Sequence, residues 1–124
     1  MSCVGDLADC CARLQALRQW WRPGEVDVIA ECIEEAEQLP EREAAEREAL
    51  HMAEDELRDL VPNGTDATQS RWRELQRRVT AARKSLNDLA VAASALYAAL
   101  GVELWWARSN HWREGVEHAN AHAR

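Results

Sequence analysis

Residues that could do chemistry gather at the end of the chain, in the stretch HWREGVEHANAHAR at 111–124. Three of the four histidines lie here, and with one glutamate they are spaced three, four and four residues apart: His111, Glu114, His118 and His122. This spacing places all four on one face of a helix, where imidazole and carboxylate groups can bind Zn²⁺ or a similar cation. A metal site is therefore one hypothesis for this stretch. We favour the simpler interpretation of a solvated helix end, because the last turn of a terminal helix holds its side chains loosely.

The same stretch contains REGVEH, an arginine and a histidine separated by four residues. This motif resembles the R-x4-H signature of HEPN-type ribonucleases, which are small all-helical proteins whose dimers assemble the active site. The resemblance covers six residues and implies catalytic roles for Arg113 and His118. HEPN motifs commonly carry Asn, Asp or His after the arginine, whereas this chain has Glu114. Two residues five apart on a straight helix point about 140° apart, so a shared site requires a break near Gly115 or a second copy.

Further candidates lie earlier in the chain. EALH at 48–51 has the Glu-x-x-His arrangement of carboxylate di-iron bundles, but those bundles need a second such motif and two more inward glutamates. Cys10 and Cys11 fall on the apolar face of the first predicted helix, where thiols act as small hydrophobic groups. Nothing resembles a phosphate-binding loop, a nucleophile elbow or a cofactor fingerprint. The sequence thus favours a protein without a metal, a cofactor or catalytic activity.

The elements that would position these residues are helical. Apolar residues recur at spacings of three and four over Val4–Trp21, which predicts the first helix. The RPGE turn at 22–25 ends it, because Pro23 disfavours the helical conformation in the residue before it. A second helix is predicted from Val26 onward.

Two further starts are predicted from turn and capping residues. Pro40 suits the first position of a helix, so a third helix is expected from about Pro40 to Val61. PNG at 62–64 supplies a turn, and Asp66 with Gln69 resembles a capping box that begins a fourth. No strand-like alternation occurs, and 124 residues suffice for one core. We therefore expect a single all-α domain over residues 1–124, a bundle of four or five helices.

The fourth helix, at about 66–100, carries the strongest pattern in the chain. Nine apolar residues alternate by three and four positions over four heptads: Trp72, Leu75, Val79, Ala82, Leu86, Leu89, Ala93, Leu96 and Leu100. Without a break, such a helix would measure roughly 54 Å, longer than a compact domain of this size. Either it kinks, Gly101 being one candidate, or a second copy covers its seam. We favour the homodimer.

Charge is distributed unevenly along the chain. The net charge of −7 argues against direct binding to nucleic acid. Residues 25–59 carry 14 acidic side chains and three arginines, whereas residues 71–84 carry six basic side chains and one glutamate. The simplest interpretation is that the two stretches pack together and their charges pair. The alternative is an acidic surface that imitates a nucleic-acid backbone, as in anti-CRISPR inhibitors, with candidate contacts at Glu34, Glu35, Glu41 and Glu48.

Tryptophan is over-represented, with six copies against one tyrosine and no phenylalanine. Two pairs are adjacent, at 20–21 and 105–106, and neighbouring helical residues point about 100° apart, so both rings of a pair need burial in different directions or one is exposed. Trp105, Trp112 and Val116 share one face, while Trp106 falls on a charged side. Since exposed tryptophans often anchor interfaces, we expect partner-binding residues at Trp105, Trp106 and Trp112.

Compartment and function follow by elimination. The N-terminal residues lack the long apolar segment of a secretory signal, and the longest uncharged run, Leu89–Val102, is too short for a bilayer core of about 30 Å. We therefore expect a cytoplasmic protein with reduced cysteines that does not enter a membrane. The sequence favours a non-catalytic interaction module that binds and inhibits a protein partner, itself a candidate nucleic-acid-binding protein. The acidic mimic and a ribonuclease using Arg113 and His118 are the alternatives.

Overall fold

A computed structural model describes residues 3–60 and 65–122, with side chains at 4–60 and 65–116. The described part is 95% helical, without strands. Its helices are α1 (Cys3–Ala16), α2 (Val26–Asp59) and α3 (Asp66–His122), with short 3₁₀ turns at Arg18–Trp20 and Pro23–Glu25 between α1 and α2. The predicted all-α class and the long helix are confirmed. The expected four or five helices are wrong, because the described residues form three.

The count is lower partly because Pro40 lies inside α2 instead of starting a helix. A proline there leaves the carbonyl of Ala36 without its usual hydrogen bond and crowds it, at a cost of about 3 kcal/mol. Ala36 and Leu39 are both buried, at 4% and 1% exposure. Burial of these two residues stabilises a continuous helix through Pro40. The preference of proline for the first position of a helix does not take such burial into account.

α3 also continues past Gly101, which the sequence offers as one candidate position for a kink. The helix passes through Gly101 and Gly115, and a Cβ atom at either position would meet nothing within 4 Å. At its start, the capping residue is Thr65 instead of the predicted Asp66. The Thr65 hydroxyl accepts a hydrogen bond from the Thr68 backbone N–H at 3.2 Å, and the Thr65 carbonyl accepts one from Gln69 at 3.0 Å.

The chain divides into two compact units, one of residues 1–38 and 92–124 and one of residues 39–91. In the first unit, α1 joins the N-terminal part of α2 and the C-terminal part of α3. Its core consists of residues with 9% exposure or less: Val4, Leu7, Cys10, Cys11, Leu14, Trp21, Ile29, Ile33, Ala36, Ala93, Leu96, Leu100 and Ala107.

Trp21 connects the turn after α1 to this core. Its ring is buried, and its indole N–H donates a hydrogen bond to the Leu14 carbonyl at 2.8 Å. The Leu17 backbone N–H donates to the same carbonyl at 3.0 Å. Carbonyls at the end of a helix lack intrahelical partners, so Trp21 helps to end α1 while it fills the core. α1 therefore ends at Ala16, five residues before the predicted end.

The second unit is a hairpin of the remaining parts of α2 and α3. Ala53, Leu75 and Val79 form a buried cluster, and three half-buried leucines pack against it: Leu50, Leu57 and Leu60. The predicted heptad positions are buried here and in the first unit, except that Leu86 is half-buried and Trp72 is 49% exposed. The seam thus begins at Leu75, one step later than predicted.

Candidate interaction surface on the third helix

The C-terminal part of α3 is apolar on two opposite faces. Its inner face, Ala93, Leu96, Leu100 and Ala107, is buried in the first unit. A second series of residues runs along α3 with the same spacing but shifted by two positions in the sequence. A shift of two residues turns it about 200° around the helix, so it lies on the opposite face. We call this series the outer face of α3: Ala95, Ala98, Val102, Trp105, Ser109, Trp112 and Val116. It keeps the same alternation of three and four residues as the inner face.

The outer face is open to solvent. Trp112 is 71% exposed, Trp105 is 66% exposed and Val102 is 61% exposed. Ala95 and Ala98 are also exposed, while Ser109 is half-buried. A tryptophan side chain carries about 150–250 Å² of surface, so two rings at this exposure leave a large apolar area uncovered.

A groove of about 1060 Å³ runs beside the outer face, between the end of α1 and α3. Its walls carry Trp105 and Trp112 on one side and Leu17 on the other, and its lining includes three arginines but no carboxylate: Arg13, Arg108 and Arg113. The groove is therefore lined by apolar and positively charged side chains.

Trp106, which the sequence also marks as a partner-binding residue, is less exposed, at 40%. The Arg22 guanidinium lies 5.5 Å from the centre of its ring and forms an ion pair with Glu103. The hydrogen bond with Glu103 raises the pKa of Arg22 above its ordinary value. These contacts leave one face of Trp106 covered within its own unit, in contrast to Trp105 and Trp112.

His111 and Glu114, two of the four candidate metal ligands, contact Trp20. The Trp20 indole N–H donates a hydrogen bond to the Glu114 carboxylate, and the Trp20 ring lies 4.3 Å from the His111 ring. Among the side chains that the structure describes, no group of three or more His, Cys, Asp or Glu could hold a metal ion. The side chains of His118 and His122 lie outside the described residues.

The ribonuclease motif lies on an unbroken stretch of helix. The backbone of α3 is continuous from Arg113 through Gly115 to His118, so the break near Gly115 that a shared site within one chain requires is absent there. The side chain of Arg113 is exposed and lines the groove, and that of His118 is outside the described part of the chain. A shared active site would then require a second copy.

The four candidate acidic contacts are exposed and divided between the units. Glu34 and Glu35 belong to the first unit and Glu41 and Glu48 to the second. None of these four forms an ion pair with another described residue.

Among the described residues of the hairpin, one ion pair joins its two helices. Arg71 of α3 holds Glu56 of α2, with the shortest N···O distance at 2.6 Å, and also Glu74 at 2.9 Å. These hydrogen bonds raise the pKa of Arg71, and the pKa of Glu74 is lowered by its hydrogen bond with Arg71 and the charge of Arg78. Within single helices, Arg47 pairs with Glu43, Arg78 with Glu74 and Arg58 with Asp55.

The described cysteines are free thiols, with Cys10 and Cys11 buried and Cys32 half-buried. Burial raises the pKa of all three, that of Cys11 to about 11. A thiol with a raised pKa is a weak nucleophile at neutral pH, because little of it is thiolate.

By length and composition alone, α3 is long and apolar enough to cross a membrane. An 18-residue window within 66–116 has a mean hydropathy of 1.5, and 22% of it is buried. The core helix of a soluble protein passes the same test, so this property does not decide between water and lipid. The low burial agrees with an apolar outer face.

No protein-family model, curated protein or solved structure matches this chain.

Sequence reasoning selected Trp105 and Trp112 but did not identify the outer face as a whole. Val102 and Arg108 were not among the candidate residues, although Val102 is 61% exposed and Arg108 lines the groove. The sequence does contain a pattern that could have identified the outer face: a second series of residues with spacings of three and four, shifted by two positions from the inner face. Alanine and serine occupy three of its seven positions, so it is a weak hydrophobic signal next to the leucine-rich inner face.

Proposed function

We propose that this chain is a non-catalytic interaction module that binds a helix of another protein chain on the outer face of α3 and regulates the protein it binds. The observation that carries this proposal is the exposure of Trp105 and Trp112 on one apolar face. Soluble proteins rarely leave a contiguous apolar patch of several hundred Å² uncovered, and such patches mark interaction sites. Tryptophan is also among the residues that contribute most binding energy at interfaces.

The shape of the surface supports a helix as the bound element. Apolar anchors at intervals of three, four and seven residues are how helices recognise one another, and a groove runs beside them. Arginines that line the groove, Arg108 and Arg113 among them, can add contacts with polar or acidic groups of the bound helix. Binding of this kind acts on a partner by occupying or positioning it, which is a regulatory role.

The test is a comparison of captured proteins. The tagged chain, its Trp105→Ala/Trp112→Ala variant and a Tyr97→Ala control are each used to isolate partners from a lysate of the source organism. Tyr97 is an exposed aromatic residue that lies off the outer face, with 48% exposure, so it controls for the loss of an exposed ring. We expect a partner that the wild type and Tyr97→Ala retain and the double variant loses, at least tenfold, since anchors of this kind contribute about 2 kcal/mol or more each.

Retention of every partner by a folded double variant would contradict the proposal. The acidic alternative has one supporting observation: the exposed Glu34 and Glu35 form no ion pair with another described residue. A partner that survives loss of both tryptophans but is lost on Glu34→Gln/Glu35→Gln would favour that alternative.

A further inference from the structure

We propose that the helix bound on the outer face of α3 is the same face of a second copy of this chain, in antiparallel orientation. This inference rests on the proposed function, because both require that the outer face accept a helix. It goes further by naming the occupant and the register.

The spacing of the outer face fits a two-stranded coil. Its seven positions alternate by four and three residues in the order that places side chains between two supercoiled helices. All seven belong to the first compact unit, so one rigid piece of helix presents the whole face. The outer face of a second copy has the same spacing, so two copies can pack against each other without a different protein.

Side-chain size selects the antiparallel orientation. The face is small at one end, with Ala95 and Ala98, and large at the other, with Trp105 and Trp112. In an antiparallel pair centred between Val102 and Trp105, Trp112 lies opposite Ala95 of the partner subunit, and Ser109 lies opposite Ala98 of the partner subunit. Trp112 then meets an alanine and Trp105 meets Val102 of the partner subunit, which fills space more evenly than ring against ring. A parallel pair would place tryptophan against tryptophan and alanine against alanine, leaving one end overpacked and the other with voids.

The flanking charges select the same orientation. Arg108 and Arg113 are the charged residues at the positions that border the outer face. In a parallel pair, Arg108 of one copy would lie beside Arg113 of the other, and like charges at these positions oppose pairing. In the antiparallel register, the two arginines border Ser94, Ala99 and Gly101 of the partner subunit, which are uncharged and small. The aliphatic parts of the arginine side chains can pack there while their guanidinium groups stay in water.

The area is sufficient for a specific contact. At 66% and 71% exposure, Trp105 and Trp112 would remove roughly 200–350 Å² per copy from water, or roughly 400–700 Å² for the pair. Val102, Val116 and the alanines bring the total to the order of 1,000 Å², which is the lower limit for a specific protein interface. The small-residue end of each helix would lie against the partner's groove of about 1060 Å³.

Cysteine cross-linking tests both the occupant and the orientation. The variants Ala98→Cys and Ser109→Cys are purified separately, and each is oxidised alone and in an equal mixture, with wild type as the control for the native cysteines. Both sites carry small residues, so the substitutions disturb the fold little. An antiparallel pair brings position 98 within disulfide distance of position 109 but not of itself. We expect cross-linked dimer in the mixture at about tenfold the yield of either variant alone, and twice the 14.0 kDa chain mass for the wild type in sedimentation equilibrium.

Efficient cross-linking of either variant alone would overturn the proposed pair, because identical positions meet only in a parallel pair or in an antiparallel pair of another register. A mass of 14.0 kDa at high concentration, without cross-links in the mixture, would overturn the second copy as occupant. If such a monomer still captures a partner through Trp105 and Trp112, the proposed function survives and this inference fails. If it captures nothing through them, both fail.

Discussion

Cys11 is the residue whose chemistry is changed most by its position in the fold. Its side chain is 4% exposed in the core of the first unit, and burial raises its pKa from 9.0 to about 11, helped by the neighbouring thiols and by Glu37. The charged thiolate is unfavourable in such surroundings. The sequence-based interpretation of Cys10 and Cys11 as hydrophobic core residues agrees with both burials.

This shift predicts a pH dependence of stability. Below pH 9 both folded and unfolded chains hold the Cys11 proton, so the group does not change stability with pH. As pH rises from 9 toward 11, the unfolded chain loses that proton first, and the folded state is destabilised by about 2 kcal/mol near pH 10.5. Urea unfolding of wild type and Cys11→Ala at about pH 8 and pH 10.5 measures this. We expect the stability advantage of wild type over the variant to shrink by that amount, and an unchanged difference would show that Cys11 titrates normally.

At the scale of elements, α2 and α3 are both longer than the turn and capping residues in the sequence predict. The pattern of buried leucines correctly predicts which face of α3 packs inward, because that periodicity reflects the core directly. The helix start predicted at Pro40 was wrong, because a proline costs a helix a limited amount of free energy that burial nearby can exceed. The outer face could be listed from the sequence, but its exposure could not, because both faces of α3 are apolar and only packing shows which is covered.

Pro40 allows a direct test of helix continuity. In Pro40→Ala the backbone N–H can donate to the Ala36 carbonyl, so we expect the free energy of unfolding to rise by about 2 kcal/mol. This is less than the full cost of an interior proline because alanine also gives the unfolded chain more freedom. Urea denaturation measures the change, with Glu41→Ala as a control at the neighbouring exposed position, expected within about 0.5 kcal/mol of wild type. If Pro40 began a separate helix, replacing it would leave stability unchanged or lower it, since proline suits that position.

At the scale of the whole molecule, the charged surface of the hairpin and the apolar outer face of α3 differ in whether their groups have partners among the described residues. Opposite charges in the hairpin neutralise each other, as in the contact of Arg71 with Glu56, and ion pairs at such exposure contribute little stability. The outer face of α3 is different because the described residues of its own unit leave most of it exposed. Solvation of apolar surface is unfavourable by about 25 cal/mol for each Å², so the face stabilises any complex that buries it. This is why we propose association, and not a chemical step, as the function.

The most direct test of that assignment measures the solvent access of individual side chains. Hydroxyl-radical footprinting, resolved by mass spectrometry, reports oxidation at Trp105 and Trp112, with the exposed Tyr97 as the internal reference. It is applied to the purified chain over a range of concentrations and again with any partner captured by the wild type. Our account predicts that both tryptophans are oxidised readily in the dilute free chain. It also predicts that they become several-fold protected on self-association or partner binding while Tyr97 does not. If both tryptophans stay as reactive as Tyr97 under every condition, the outer face of α3 is not an interaction surface.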